Sequence, residues 1–379
     1  MTDNANIKLG PGLWTLIVLT AIGVVTALLR YAFGIGFVSN LSDGYPWGIW
    51  IGFDVMSGVA LAAGGFTTAA VVHIFGREKY HALVRPAILT AFLGYVLVIV
   101  ALMVDLGRPW NIWRPLYHFQ VKSVMFEVAS CVALYTVVLA VEFAPSVLER
   151  FKMHKALTLV KKVTIGFVIA GVILSTMHQS SLGSVFLIVP HKLHPLWYTP
   201  ILPLLFLASA IAVGPAMVIV EGMFSSKAFK RPPETELLTG PARAIPVILM
   251  IYLIMRGADL MARDAIPYLF VFNVAAIAFW LELLIGAVLP LALLLNREVY
   301  TSRTGQFWSA LCVVIGVVMN RLNVAVTGIT VERWESYYPA IGEILITIGV
   351  VCAGLIAFYF AVKNFAIYHE PRSVVEHGR

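Results

Sequence analysis

Charge is what this 379-residue sequence lacks most: 12% of its residues are Asp, Glu, Lys or Arg, against 60% that are hydrophobic. A soluble chain of this length would run out of interior before it hid that much apolar surface. A water-soluble globule is therefore excluded, and the mean hydropathy of +0.88 points to the bilayer as solvent. Cysteine is also scarce. Cys131, Cys312 and Cys352 stand singly inside apolar runs, which excludes an iron–sulfur or zinc ligand set and implies no disulfide framework. Nothing indicates a nucleic-acid role, because the net charge of +7 has a topological explanation given below.

Long apolar runs take the place of charge. A spanning helix needs about 20 largely apolar residues. Runs at 9–29, 55–72, 86–104, 195–220 and 344–362 are unbroken by charge, and those at 128–141, 163–177, 265–281 and 304–320 each extend past a single polar residue. The weakest, at 244–255, is set about by Pro246 and Arg256. The expectation is an all-α integral membrane protein of about ten transmembrane helices. The first run is too long for a signal-peptide core and has no small-residue cleavage site, so it is read as a helix.

With ten spans both termini lie on one side, and the loops of that side carry 18 Lys and Arg against 8 on the other. The positive-inside bias puts both termini in the cytoplasm. The opposite loops differ in character: "LSDGYPWGIW" and "DLGRPWNIWRPLYHFQ" are rich in Trp, Tyr, Pro and Arg. Trp47, Trp50 and Trp110 suit an aromatic belt at the headgroups, whereas Arg108 and Arg114 on a face normally poor in basic residues suit a docking surface.

Ionisable residues inside spans cost at least ~2.5–3.5 kcal/mol at the bilayer centre, so each is a functional candidate. Helix direction sorts them by depth. Arg30, Asp54, Asp105, Glu127 and His178 share the outer level; His73, Arg85, Glu142 and Glu221 share the inner one; Tyr95 stands between. Blander readings compete. Arg85 and Glu142 could snorkel from helix ends, His73 could be an interfacial histidine, and Tyr95 could simply pack. Glu127, His178 and Glu221 are harder to dismiss, while Glu282 lies deep with no evident partner. A bis-histidine haem is not expected. His73 and His178 lie at opposite levels, ~20 Å apart at the helical rise, and His118, His191 and His194 fall in outer loops.

Three stretches, "GYPWGIWIGFDV" (44–55), "DLGRPWNIWRPLYHFQVKSVMFEV" (105–128) and "HQSSLGSVFLIVPHKLHPLW" (178–197), resemble the NrfD/PsrC family of membrane subunits. The third is similar to the HybB branch, the membrane subunit of periplasm-facing hydrogenase-2-type [NiFe] hydrogenases. The resemblance spans essentially the whole chain. It implies one domain of two four-helix bundles plus two extra helices, with bundle one about 13–143, bundle two about 163–294, an extra pair about 304–362 and a short cytoplasmic tail, 363–379. It implies a bacterial inner-membrane subunit that binds no haem, iron–sulfur cluster or metal. Such a subunit passes electrons between menaquinone and a ferredoxin-like iron–sulfur subunit on the periplasmic face, which is fed by the hydrogenase small and large subunits.

The resemblance also places Arg85, Tyr95, Glu127, His178 and Glu221 at positions tied to quinone chemistry or proton passage. On this reading Asp54, Glu127 and His178 border the quinone, with Trp47, Trp50 and Trp110 as walls and Arg108 and Arg30 nearby. Tyr95, Glu221, His73 and Arg85 carry protons from the cytoplasm, and His191, Lys192 and His194 meet the partner. Three readings stand beside it. One is the membrane subunit of another NrfD-type oxidoreductase, acting on polysulfide or another substrate. Another is a secondary transporter, against which no inverted repeat is visible and "AVGPAM" (212–217) is a lone helix break. The last is a passive anchor.

Overall fold

Ten apolar helices of 22 to 35 residues cross the molecule in the computed structural model, which describes residues 10–45, 47–232, 234–329 and 337–368. They are α1 (Pro11–Phe33), α2 (Trp50–Ile74), α3 (Glu78–Asp105), α4 (Val124–Arg150), α5 (His154–Ile188), α6 (Leu202–Ala228), α7 (Thr235–Ala262), α8 (Val274–Leu295), α9 (Arg303–Thr327) and α10 (Ile341–Asn364). In hydrocarbon every backbone group must be paired within the segment, which is why helices alone do the spanning. Among the described residues β-structure is limited to one isolated antiparallel bridge, Leu193 to Ile329. Pro11 starts α1, and the side chains of Ser123, Asn273 and Ser302 cap later helices. Below, "inner" means the face on which α1 begins.

The seventh span, weakest in the sequence, is a full helix of 28 residues. Its Arg256 is buried, donating to the Leu196 carbonyl at 2.9 Å and lying over the Phe279 ring. Arg321 is likewise fully buried within α9. Both were counted with the outer loops in the charge tally; inside spans they leave those loops still poorer in basic residues.

Helices α2–α5 pack into one bundle and α6–α9 into a second, joined where α5 and α2 meet α6. The extra pair is α1 and α10, which pack along each other and against α3 and the start of α2. This corrects the expected boundaries, which grouped spans in chain order and made the last two the extra pair. Run length carries no record of which helix a span faces. The reason for the pairing is local: α1 buries only Gly23, Thr26 and Arg30, a stripe at helical spacing. At its centre Gly23 and Gly349 approach so closely that a Cβ on either would lie 2.7 Å from the other's Cα. Gly286 and Gly316 make the same kind of contact between α8 and α9. Small residues that let backbones touch are how helices associate in lipid, where apolar burial gives no drive.

Among the described residues four stretches are wound as π-helix: Trp50–Ser57, Ala70–Ile74, Leu284–Val288 and Asn323–Thr327. Such wide turns cluster at functional sites. Here they carry or adjoin Asp54, His73, Glu282 and Asn323.

Candidate active site

Two polar clusters lie at the outer level, and the helices that carry them differ. The first is inside the bundle α2–α5. His178, fully buried on α5, has Nδ1 3.0 Å from the Tyr95 hydroxyl on α3, and its Nε2 has no partner. Tyr135 of α4 stacks edge to face on Tyr95 at 4.7 Å. One turn outward, Ser181 donates to Glu127 at 2.6 Å. Gln179 donates to the Val59 carbonyl at 3.0 Å and leaves its own carbonyl unpaired. The hydroxyls of Tyr135 and Ser175 are also buried without partners. Buried polar atoms are almost always satisfied, so four orphans in one layer mark a place for water or a polar ligand.

The second cluster joins that bundle to the α1–α10 pair. Thr347 of α10 donates to Asp54 at 2.7 Å, and the buried Trp50 indole donates to the Glu343 carbonyl at 3.2 Å. Arg30 holds the Leu106 carbonyl at 2.5 Å, while its Nε and Asp105 Oδ1 have no partner. The fully buried Glu343 carboxylate accepts from the Asn40 and Ala340 backbone amides at 3.0 and 3.1 Å and from the Tyr337 hydroxyl. Burial, together with the Glu343 carboxylate beside it, pushes the Tyr337 phenol up, so it remains a donor.

The expected residues thus separate. Tyr95, Glu127 and His178 come together; Asp54, Trp50 and Arg30 come together one helix away. Trp47 packs edge to face on Phe186 at 5.1 Å, near the outer end of α5. Trp110 and Arg108 lie on the exposed outer surface, with Trp113, Leu116, Phe119 and Val121 beside them, and not against either cluster. At the inner level His73 meets His81 edge to face. Arg85 pairs with Glu149 at 2.9 Å and donates to the Ala366 carbonyl at 2.8 Å, and Glu221 accepts from Tyr368 at 2.5 Å.

The sequence reading missed Glu343, Thr347, Tyr135, Ser175 and Tyr368. A single Glu opening an apolar run was the available signal for Glu343; the small hydroxyls give none. Glu282 is corrected outright. It is the hub of a third cluster, accepting from Trp197 at 3.0 Å, Asn320 at 2.7 Å and Asn323 at 2.8 Å. Asn320 in turn accepts from Arg321 at 2.6 Å. Of the loop residues, His194 is held inward against Trp197 and Tyr268, and burial keeps its imidazole below the ordinary range.

The family model for polysulphide reductase NrfD matches residues 37–332. The chain belongs to the NrfD family. The match covers α2–α9, the two four-helix bundles, and leaves the α1–α10 pair outside it. Among NrfD-family relatives, a protein of Nitratidesulfovibrio vulgaris is 40% identical, over 93% of each chain. The Escherichia coli protein named "Probable Ni/Fe-hydrogenase 2 b-type cytochrome subunit" is 34% identical, over 95% of this chain and 93% of its own. The "Menaquinone reductase, integral membrane subunit" of N. vulgaris is 25% identical, over 91% of this chain and 88% of its own.

The E. coli name mentions a cytochrome, and the described residues of this NrfD-family chain do not fit a membrane haem. His178 is committed to Tyr95 on one side, and among the described residues no second histidine of a spanning helix stands at its level. The His73 and His81 ring centres lie 6.1 Å apart, edge to face, beside an exposed corner at the inner level. Among the described residues no group of three or more His, Cys, Asp or Glu side chains could hold a metal ion.

Proposed function

We propose that this NrfD-family subunit passes electrons between menaquinone and a ferredoxin-like iron–sulfur protein docked on the outer, periplasmic face, within a [NiFe] hydrogenase complex of the bacterial inner membrane, both termini being cytoplasmic. The names carried by the E. coli and N. vulgaris relatives support the hydrogenase and the menaquinone parts respectively. The exposed apolar rim at Trp110, Trp113 and Phe119, with Arg108 and Arg114 beside it, supports the docking face.

The observation that carries the reading is the His178 ring: one nitrogen held by Tyr95, the other buried, unpaired and next to Glu127–Ser181. With the Tyr95 hydroxyl donating to Nδ1, the ring proton stands on Nε2, which is free to donate to a quinone carbonyl. Reduction of a quinone to its quinol takes up two electrons and two protons. The electrons come from the docked protein. The protons need groups that can give and take a proton along hydrogen bonds in a buried site, which is the work assigned here to Glu127, His178 and Tyr95. Asp54 and Arg30 border the same level from the α1–α10 side, where Arg30 Nε and Asp105 Oδ1 offer further unpaired polar atoms.

The experiment compares two electron acceptors in the intact complex. Glu127→Gln and His178→Ala are expected to leave hydrogen oxidation by a water-soluble dye unchanged and to lower hydrogen-to-quinone activity ~10²-fold or more. Quinone activity within twofold of wild type in both variants would remove these residues from the reaction. Purification with no redox partner would favour a transporter, and partners without quinone activity an anchor.

A further inference from the structure

Glu221 of α6 lines two small cavities at once. The upper one, about 10 Å³, lies between α2, α3 and α6 and includes Gly64, Gly65 and Thr90, whose hydroxyl is buried without a partner. The lower one, about 20 Å³, opens at the inner end and includes Ser226, Arg231, Glu234 and Tyr368. A cavity needs roughly 10–15 Å³ to hold a water, so each has room for about one.

Tyr368 closes the lower cavity from a segment past the end of α10. That segment is fastened at three points: Ile367 is buried among Val84, Ile88 and Phe143, Arg85 donates to the Ala366 carbonyl, and the Tyr368 hydroxyl donates to Glu221 at 2.5 Å. The Arg231 guanidinium carbon lies over the Tyr368 ring, 3.2 Å from its centre, and Arg231 is also 3.6 Å from Glu234. Tyr368 lies beyond the stretch that matches the NrfD family model.

The geometry points to Tyr368 as the residue through which Glu221 receives protons from the inner aqueous face, a relay supplied by the chain's own C-terminal strap. The inference rests on the proposed quinone reaction for its purpose, but not for its test. In one transfer the Tyr368 hydroxyl gives its proton to the Glu221 carboxylate while its oxygen takes one from a hydronium that reaches the lower cavity from the inner aqueous face and is left there as water. The tyrosine is neutral before and after. Burial, and the Glu221 carboxylate next to it, push the phenol up, so the hop is concerted and no tyrosinate accumulates. From Glu221 the proton continues by the upper cavity to Thr90, about 7.5 Å along α3 from Tyr95 and its partner His178. The charged groups facing the pair are Arg231 and Glu234 from the α6–α7 loop, and Arg85, paired with Glu149, behind the strap.

The test uses the whole complex in lipid vesicles and two readouts. The first is hydrogen/deuterium exchange of the Glu221 carboxyl, followed in the infrared and identified by its loss in Glu221→Gln. The second is menaquinone-analogue turnover against pH. Tyr368→Phe keeps the ring under Arg231 and removes the hydroxyl. It is expected to slow carboxyl exchange about tenfold, and to lower turnover increasingly as pH rises and water carries fewer protons. Tyr368→His, which restores a proton-carrying group, is expected to recover much of both. Exchange at the wild-type rate in Tyr368→Phe overturns the relay, and equal losses in the Phe and His variants make Tyr368 a packing residue. If wild-type complex lacks quinone turnover but Tyr368→Phe still slows exchange, the quinone reading fails and the relay stands.

Discussion

At the scale of single residues, the polar groups of this chain divide by what they face. Glu282 accepts three N–H bonds and stands one asparagine away from Arg321, whose guanidinium also bonds the Phe206 carbonyl and Ser209 and lies 3.6 Å from the Phe206 ring centre. These five hydrogen bonds each reach another helix or the loop holding Trp197, which makes the cluster a tie between α6, α8, α9 and the outer loop. Glu282→Gln puts an amide donor among donors and leaves the fully buried Arg321 without a counter-charge. A loss of about 3–5 kcal/mol follows, measured as less folded subunit and a lower melting temperature in detergent. An unchanged melting temperature would refute the tie. His178 differs in kind, because one of its nitrogens has nothing to hold. Sequence depth put His178 and Glu127 at one level and Tyr95 between levels, since rise per residue is a ruler along a helix. In the structure Ser181, one turn from His178, bonds Glu127, and Tyr95 reaches His178 itself. Depth could not separate Asp54 from them, because it says nothing of which side of α3 a residue faces. Nor could it find partners for Glu282, which come from Trp197, Asn320 and Asn323, as many as 85 residues away.

At the scale of elements, the ten spans could be read from the sequence, because length and apolarity are what the bilayer demands. Their pairing could not. The α1–α10 contact depends on two glycines more than 300 positions apart, and a single glycine in an apolar run carries no address. That contact matters for the site, since α10 brings Thr347 to Asp54 and Glu343 to Trp50. Gly349→Leu would force the pair apart at a cost of about 1–3 kcal/mol while leaving the α2–α9 bundles intact. The expected result is a subunit that inserts and binds its partners but loses most quinone turnover, with dye-linked activity unchanged. Retained turnover would mean that the α1–α10 pair plays no part in the site.

At the scale of the whole molecule, an eight-helix core matched by the NrfD family is flanked by a helix pair of the chain's own ends. The outer level carries the two candidate polar clusters and the exposed aromatic rim; the inner level carries the strap over Glu221. Such an arrangement suits a reaction in which electrons arrive from one side and protons from the other. The family was legible from three motifs, all within the matched stretch. The strap was not, because Tyr368 has no motif around it and gains its meaning only when α10 delivers it to α6. The most direct measurement is where the quinone binds. A photoreactive menaquinone analogue, cross-linked in the intact complex and mapped by mass spectrometry, is expected to label the outer ends of α2, α4 and α5, around Asp54, Glu127 and His178, and to be displaced by excess menaquinone. Displaceable labelling confined to α6–α9, or none at all, would contradict the account.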